Sequence, residues 1–300
     1  MAAALGTEAT TGVAGRLNRL VAAEFRKIFT TNVWWALLIP VAVLTFGAGW
    51  MGATVGAISE LEQRAGTALP VGLLTVSMST NFSTIFAALF GALAVSAEFR
   101  NKTITTTFLT GAPRGAVLGA KLLAYAGIGV LYGVVNMVFA SLGSLVGAGV
   151  SGFGEATDWF SVVGAGLLAI VLWTLLGVGL GSLLANSVGA VIVLLVYKLV
   201  FESVLSTFLS GSNLSYLNAY LPAASGNGIV GNLSVPLFVS RLAGGMGGQA
   251  AAPQPVFEVL HFFFGGSYQQ PWWLSLLAFS GYAAVLVVAG WLVSSRRDIS

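Results

Sequence analysis

FSVVGAGLLAIVLWTLLGVGLGSLL, residues 160–184, runs for twenty-five positions without one charged side chain. An α-helix needs roughly 20 apolar residues to cross a bilayer, so this stretch reads as a complete span. The flanking sequence repeats the pattern. On one side lie 119–149, 73–97 and 34–56, the last opening WWALLIPVAVLTF; on the other lie 188–209 and 272–294. Only 8% of the 300 residues are charged. The mean hydropathy is +0.91, and a soluble domain carries roughly 25% charge. A β-barrel would alternate apolar and polar residues in segments of about ten, which this chain does not do. The fold class is therefore an all-α polytopic membrane protein with six transmembrane helices. The 119–149 run is longer than one crossing needs, so it tilts or projects from the bilayer.

Charge orients the spans. Basic residues of short loops stay on the cytoplasmic side. With both termini cytoplasmic, that side holds ten of the thirteen basic residues: Arg16, Arg19, Arg26, Lys27, Arg100, Lys102, Arg114, Lys121, Arg296 and Arg297. Arg64 and Arg241 fall outside, and Lys198 lies within the fifth span. Trp34, Trp35, Trp159, Trp272, Trp273 and Trp291 lie near span ends, where amphipathic rings favour the headgroup layer. Residues 1–15 have neither a basic head nor an apolar core, so they read as a disordered tail and not a cleavable signal. Residues 16–33 read as an amphipathic interface helix. Leu17, Leu20, Val21, Phe25 and Ile28 form its apolar stripe, with Arg16, Arg19, Arg26 and Lys27 mostly off it. Positive-inside topology accounts for the pI near 9.3, so no nucleic-acid partner is implied.

No catalytic constellation is legible. The nearest approach to a phosphate-cradling loop is GAVLGAKL (115–122), which lacks the Lys-Ser/Thr pair after the second glycine. The chain has one histidine and no cysteine, so no metal-ligand or thiolate set is implied. His261 falls in an expected external loop, a poor place for an intramembrane protease base. The chain thus reads as a permease or channel energised by a gradient or a partner, not an enzyme.

Charge concentrates in AEFRNKTITTTFLTGAPRGAVLGAKLLAY, residues 97–125, between the second and third spans. Pro113 stops any preceding helix and disfavours helix at the residue before it. Residues 99–111 then read as a short cytoplasmic helix with Ile104, Phe108 and Leu109 on one face, and a new helix begins near Arg114.

This pairing resembles the type-2 family of ATP-binding-cassette export permeases. The carrying segments are LVAAEFRKIFTTNVWW (20–35) and SAEFRNKTITTTFLTGAPRGAVLGAKLL (96–123). Within them Glu98, Thr103 and Ile104 match an E-x-x-x-x-T-[IL] pattern. Ala112, Pro113 and Arg114 match a small-Pro-x-Arg turn with its middle residue missing, and Lys121 opens the next span. The resemblance implies a bacterial cytoplasmic membrane protein, a second permease subunit (identical or related), and two cytoplasmic ATPase subunits carrying ATP and Mg. No cofactor would sit in this chain. The ATPase would dock on Glu98, Arg100, Lys102, Ile104, Phe108, Leu109 and Arg114. The interface helix, with Glu24, Phe25, Arg26 and Lys27, would pack beside it. The same basic residues also serve to hold topology.

Within the spans, YKLVFE (197–202) places Lys198 and Glu202 four residues apart on one helix face. The pair reads as a packing salt bridge, a substrate or gating contact, or part of a proton relay. Tyr125, Tyr132, Asn136 and Phe139 line a cavity or form a packing face of span three. GxxxG spacings at Gly52, Gly143 and Gly177 allow close helix approach. The external loop 210–271 is long enough to carry re-entrant or interfacial helices. Phe262, Phe263, Phe264 and Tyr268 read as an outer gate or as interface anchors. The function expected is export of an amphipathic, lipid-like or drug-like molecule. A gradient-driven carrier or channel, and a membrane anchor for a signalling complex, are the alternatives.

Overall fold

A computed structural model of the chain describes residues 2–54, 62–63, 66–101, 113–245 and 270–296, with side chains from residue 15. The helices in order are α1 (Ala2–Phe29), α2 (Val33–Ala53), α3 (Val71–Arg100), α4 (Arg114–Ala148) and α5 (Ala156–Leu184). They continue as α6 (Ser187–Val196), a π-turn (Tyr197–Phe201), α7 (Glu202–Ser210), α8 (Pro222–Gly245) and α9 (Trp272–Arg296). Short 3-10 turns occur at Val150–Phe153 and Ser215–Tyr220. Among the described residues there is no strand. Six helical segments are long and apolar enough to cross a membrane: α2, α3, α4, α5, the α6–α7 unit and α9. The chain is a multi-pass membrane protein by this measure.

Two boundaries differ from the sequence reading. α1 runs back to Ala2 instead of leaving 1–15 as a tail; AAAL opens it, and alanine has the best helix propensity. Phe99 and Arg100 close α3 instead of opening a separate helix. The helix carries its apolar run through Phe99 and closes on Asn101, whose N–H bonds back to Ala97 and Phe99. Pro113 is extended at ψ 132, and α4 begins at the next residue; most of the short helix expected over 99–111 lies outside the described residues. At 1.5 Å per residue, α4 is about 52 Å long against a hydrocarbon core of roughly 30 Å. It therefore projects or tilts.

α3 is the axis of the bundle, packed by α2, α4, α5, α6 and α8. Its sequence TVSMSTNFST (75–84) is polar for a span, and some of the helix's hydroxyls reach across to neighbouring helices. Thr75 meets Ser144 of α4 at 2.5 Å and Ser96 meets Ser187 of α6 at 2.9 Å. Thr80 accepts from Asn136 at 3.2 Å. Polar contacts of this kind hold spans together where lipid removes the hydrophobic drive. Glycines supply the close approach. Any side chain at Gly177 or Gly181 would run into the backbone carbonyls of Ala88 and Ala92, and one at Gly143 into that of Phe46. The Gly143 and Gly177 motifs thus close the α2–α4 and α3–α5 seams within this chain.

Candidate functional site

At the end of the bundle carrying Arg26, Arg100 and Arg114, three helices converge on one ammonium. Lys121, two turns into α4, donates to Glu24 of α1 at 2.9 Å and to Glu98 of α3 at 2.6 Å. Lys27 closes on the other oxygen of Glu24 at 2.5 Å. Glu24 is 3% exposed and Lys121 7%. Helical periodicity explains the placement: Glu24 and Ile28 share the inward face of α1, while Arg16, Arg19 and Arg26 remain outside. Burial would raise the Glu24 carboxyl, but Lys121 and Lys27 outweigh it and hold the group below its ordinary range. Phe25 stacks on Phe29 at 6.0 Å and lies against Gly127 of α4, so α1 is seated by contact as well as charge. The cluster ties α1 to both helices that bracket residues 102–112.

A column of aromatics continues inward. Lys121 lies 5.5 Å from the Tyr125 ring centroid. Phe90 then stands 5.7 Å from both Tyr125 and Tyr132. The Tyr132 hydroxyl donates to the Trp34 carbonyl at 2.8 Å. Tyr125, Tyr132 and Asn136 are thus buried in the α3–α4 packing, and Phe139 faces outward. Tyr125, Tyr132 and Asn136 share the packing face, and Phe139 does not join them.

A second polar centre lies deeper. Lys198 and Glu202 point inward but to different partners, and no ion pair joins them. The Lys198 ammonium donates to Thr84 Oγ1 of α3 at 2.7 Å and lies 3.7 Å above the Trp173 ring of α5. The Glu202 carboxylate accepts the backbone N–H groups of Ala223 and Ala224 at 2.7 and 2.5 Å. Tyr197 is its third hydrogen-bond partner. Ala223 and Ala224 lie in the first turn of α8, so Glu202 caps a helix N-terminus whose free N–H groups and dipole favour an anion. The π-turn at Tyr197–Phe201 spans Lys198 and ends against Glu202; π-turns inside helices recur at functional positions.

α7 runs to Ser210, the 3-10 turn at Ser215–Tyr220 follows, and α8 begins again beside Glu202. Gly226 of α8 lies against the Trp173 indole. Asn232 donates to Ser275 of α9 at 3.0 Å, and the far end pairs Arg241 with Glu155 ahead of α5.

Of the expected docking residues, Lys102, Ile104, Phe108 and Leu109 lie outside the described residues, as does the Arg114 side chain. So do Phe262, Phe263, Phe264 and Tyr268. Glu98 is described as part of the Lys121 cluster, and Arg100 is exposed at the end of α3. Sequence reasoning missed that Lys121 joins Glu24 and Glu98, and it missed Thr84 and Trp173. A tryptophan and a threonine at mid-span were the available signals. Comparison with protein-family models and with curated proteins found no match.

Proposed function

We propose that the chain is the permease subunit of an ATP-binding-cassette exporter, moving an amphipathic molecule with ATP hydrolysed on a separate subunit. The observation that carries the reading is the buried Glu24–Lys121–Glu98 cluster. It welds the basic helix α1 to the two helices bracketing 102–112, the segment where the sequence resemblance would have an ATPase dock. A docking segment transmits force only if its mounts are rigid, and a buried ion cluster spanning three helices supplies such a mount. In this reading Arg100 and Lys102 meet acidic groups of the ATPase, Phe108 or Leu109 enters an apolar cleft, and the Arg26 end faces the cytoplasm. The chain works beside a second permease subunit in a bacterial cytoplasmic membrane. Affinity purification from native membranes in mild detergent, with mass spectrometry of what accompanies the chain, tests this. Stoichiometric recovery of an ATPase, lost on Arg100→Glu with Lys102→Glu, is the expected result. A chain that purifies alone favours a gradient-driven carrier or channel.

A further inference from the structure

We infer that Lys198, Trp173 and Thr84 form a recognition point for the carboxylate of an amphipathic organic acid at mid-membrane. This deepens the exporter reading by naming the cargo class. Depth comes first. At 1.5 Å per residue, Lys198 lies about 17 Å from Ser187, and Trp173 the same from Leu184, the two ends of one tight turn. That is close to half of a roughly 30 Å core, where an unpaired ammonium is costly and its retention points to function.

The ammonium lacks the partner such a site calls for. Its nearest carboxylate on the same helix, Glu202, is occupied by two backbone N–H groups and Tyr197. The ammonium touches only a neutral hydroxyl and an aromatic face. A second donor beside it is also unspent: Trp173 is 2% exposed, and its Nε1–H has no acceptor. Ser83, next to Thr84 on α3, likewise has an unpartnered hydroxyl. The Thr84 hydroxyl hydrogen already goes to the Asn81 carbonyl, which leaves its oxygen to position the ammonium. The ammonium is the group with donors to spare: one N–H goes to Thr84, which leaves two for an incoming acceptor. A monovalent carboxylate matches it in charge and in number of oxygens. Gly226 of α8 packs its backbone against the indole, where a Cβ would come to 2.7 Å from Nε1, so the ring is fixed as a platform beneath the ammonium. The ligand body has an apolar path: Leu199, Val200 and Phe201 beside Lys198 are each more than half exposed on the outer face of the span.

The test uses the purified chain in phosphatidylcholine nanodiscs, with dibromostearate as probe and the matching dibromo alcohol as control. Bromine quenches tryptophan at short range, and Trp173→Phe identifies the component arising at the site. Saturable quenching by the acid is expected, with about tenfold or greater preference over the alcohol, as one charge-assisted hydrogen bond supplies. Lys198→Met should erase that preference, and Lys198→Arg should keep it. Thr84→Val, which preserves the cation, should weaken it if Lys198→Met fails to fold. Equal quenching by acid and alcohol, or unchanged acid binding in Lys198→Met, overturns the inference. Binding is read without ATP or ATPase, so its failure leaves the exporter reading standing, and failure to recover an ATPase leaves this result standing.

Discussion

Replacing Lys121 with methionine keeps most of the side-chain volume and removes the charge. Two carboxylates then remain at the junction of α1, α3 and α4. Their side chains are 4% and 12% exposed, and the lost contacts measured 2.9 and 2.6 Å. Lys27 still reaches Glu24, but its side chain is 38% exposed, so solvent screens that contact where it does not screen the buried Lys121. Removing one member of a buried ion pair costs about 3–5 kcal/mol, because the other charge is left uncompensated. Lys121→Met should therefore destabilise the protein by about that amount, since Lys121 serves two carboxylates at once. Glu24→Gln alone should cost less, because Lys121 keeps Glu98. The triple variant Lys121→Met, Glu24→Gln, Glu98→Gln leaves only the half-exposed Lys27 of the cluster charged and no buried charge behind, and should regain most of the loss. Thermal unfolding in detergent, followed by tryptophan fluorescence, reads the series. If the triple variant is no more stable than Lys121→Met, the loss is one of packing, and the electrostatic account of the cluster fails.

The cluster should be insensitive to pH near neutrality. Glu24 titrates below its ordinary value of 4.5, so its contribution is complete above that value and fades as pH falls further; a midpoint temperature that drops instead between pH 8 and 6 would contradict this. Gly177→Ala should destabilise by about 2 kcal/mol or more, because the added methyl meets the Ala88 backbone, which cannot yield; a folded variant with wild-type melting refutes the close seam. Glu202→Ala should cost about 2–3 kcal/mol by leaving two N–H groups of α8 unpaired, and should raise maleimide labelling of a cysteine placed at Ser225, the chain having none of its own; unchanged labelling would show that the cap does not hold α8. Arg241→Ala should leave melting unchanged, since its partner Glu155 is exposed too.

The spans were legible because hydrophobic length is a local property: each candidate can be judged within its own twenty or so residues. The start of a helix near Arg114 was legible for the same reason, a proline ring acting on its neighbours. What escaped was partnership. Glu24 and Lys121 are 97 positions apart, and nothing local to either marks them as a pair. Lys198 and Glu202 looked paired because they are four apart, yet tertiary partners took each separately: Thr84, 114 positions away, and the start of α8, 21 and 22 positions on. α8 itself was read only as a short re-entrant or interfacial piece. Its Gly, Asn and Ser content falls short of a span's hydropathy, and only packing against α3, α5 and α9 makes use of it.

The Lys121 cluster also fixes an order of assembly. Domains and segments are made from the N-terminus onward, so Glu24 and Glu98 are synthesised and their helices delivered before Lys121 exists. Until the third span enters, the ammonium that joins Glu24 to Glu98 is missing, and the first two spans cannot take their final seats. The third span is in this sense the keystone of biogenesis.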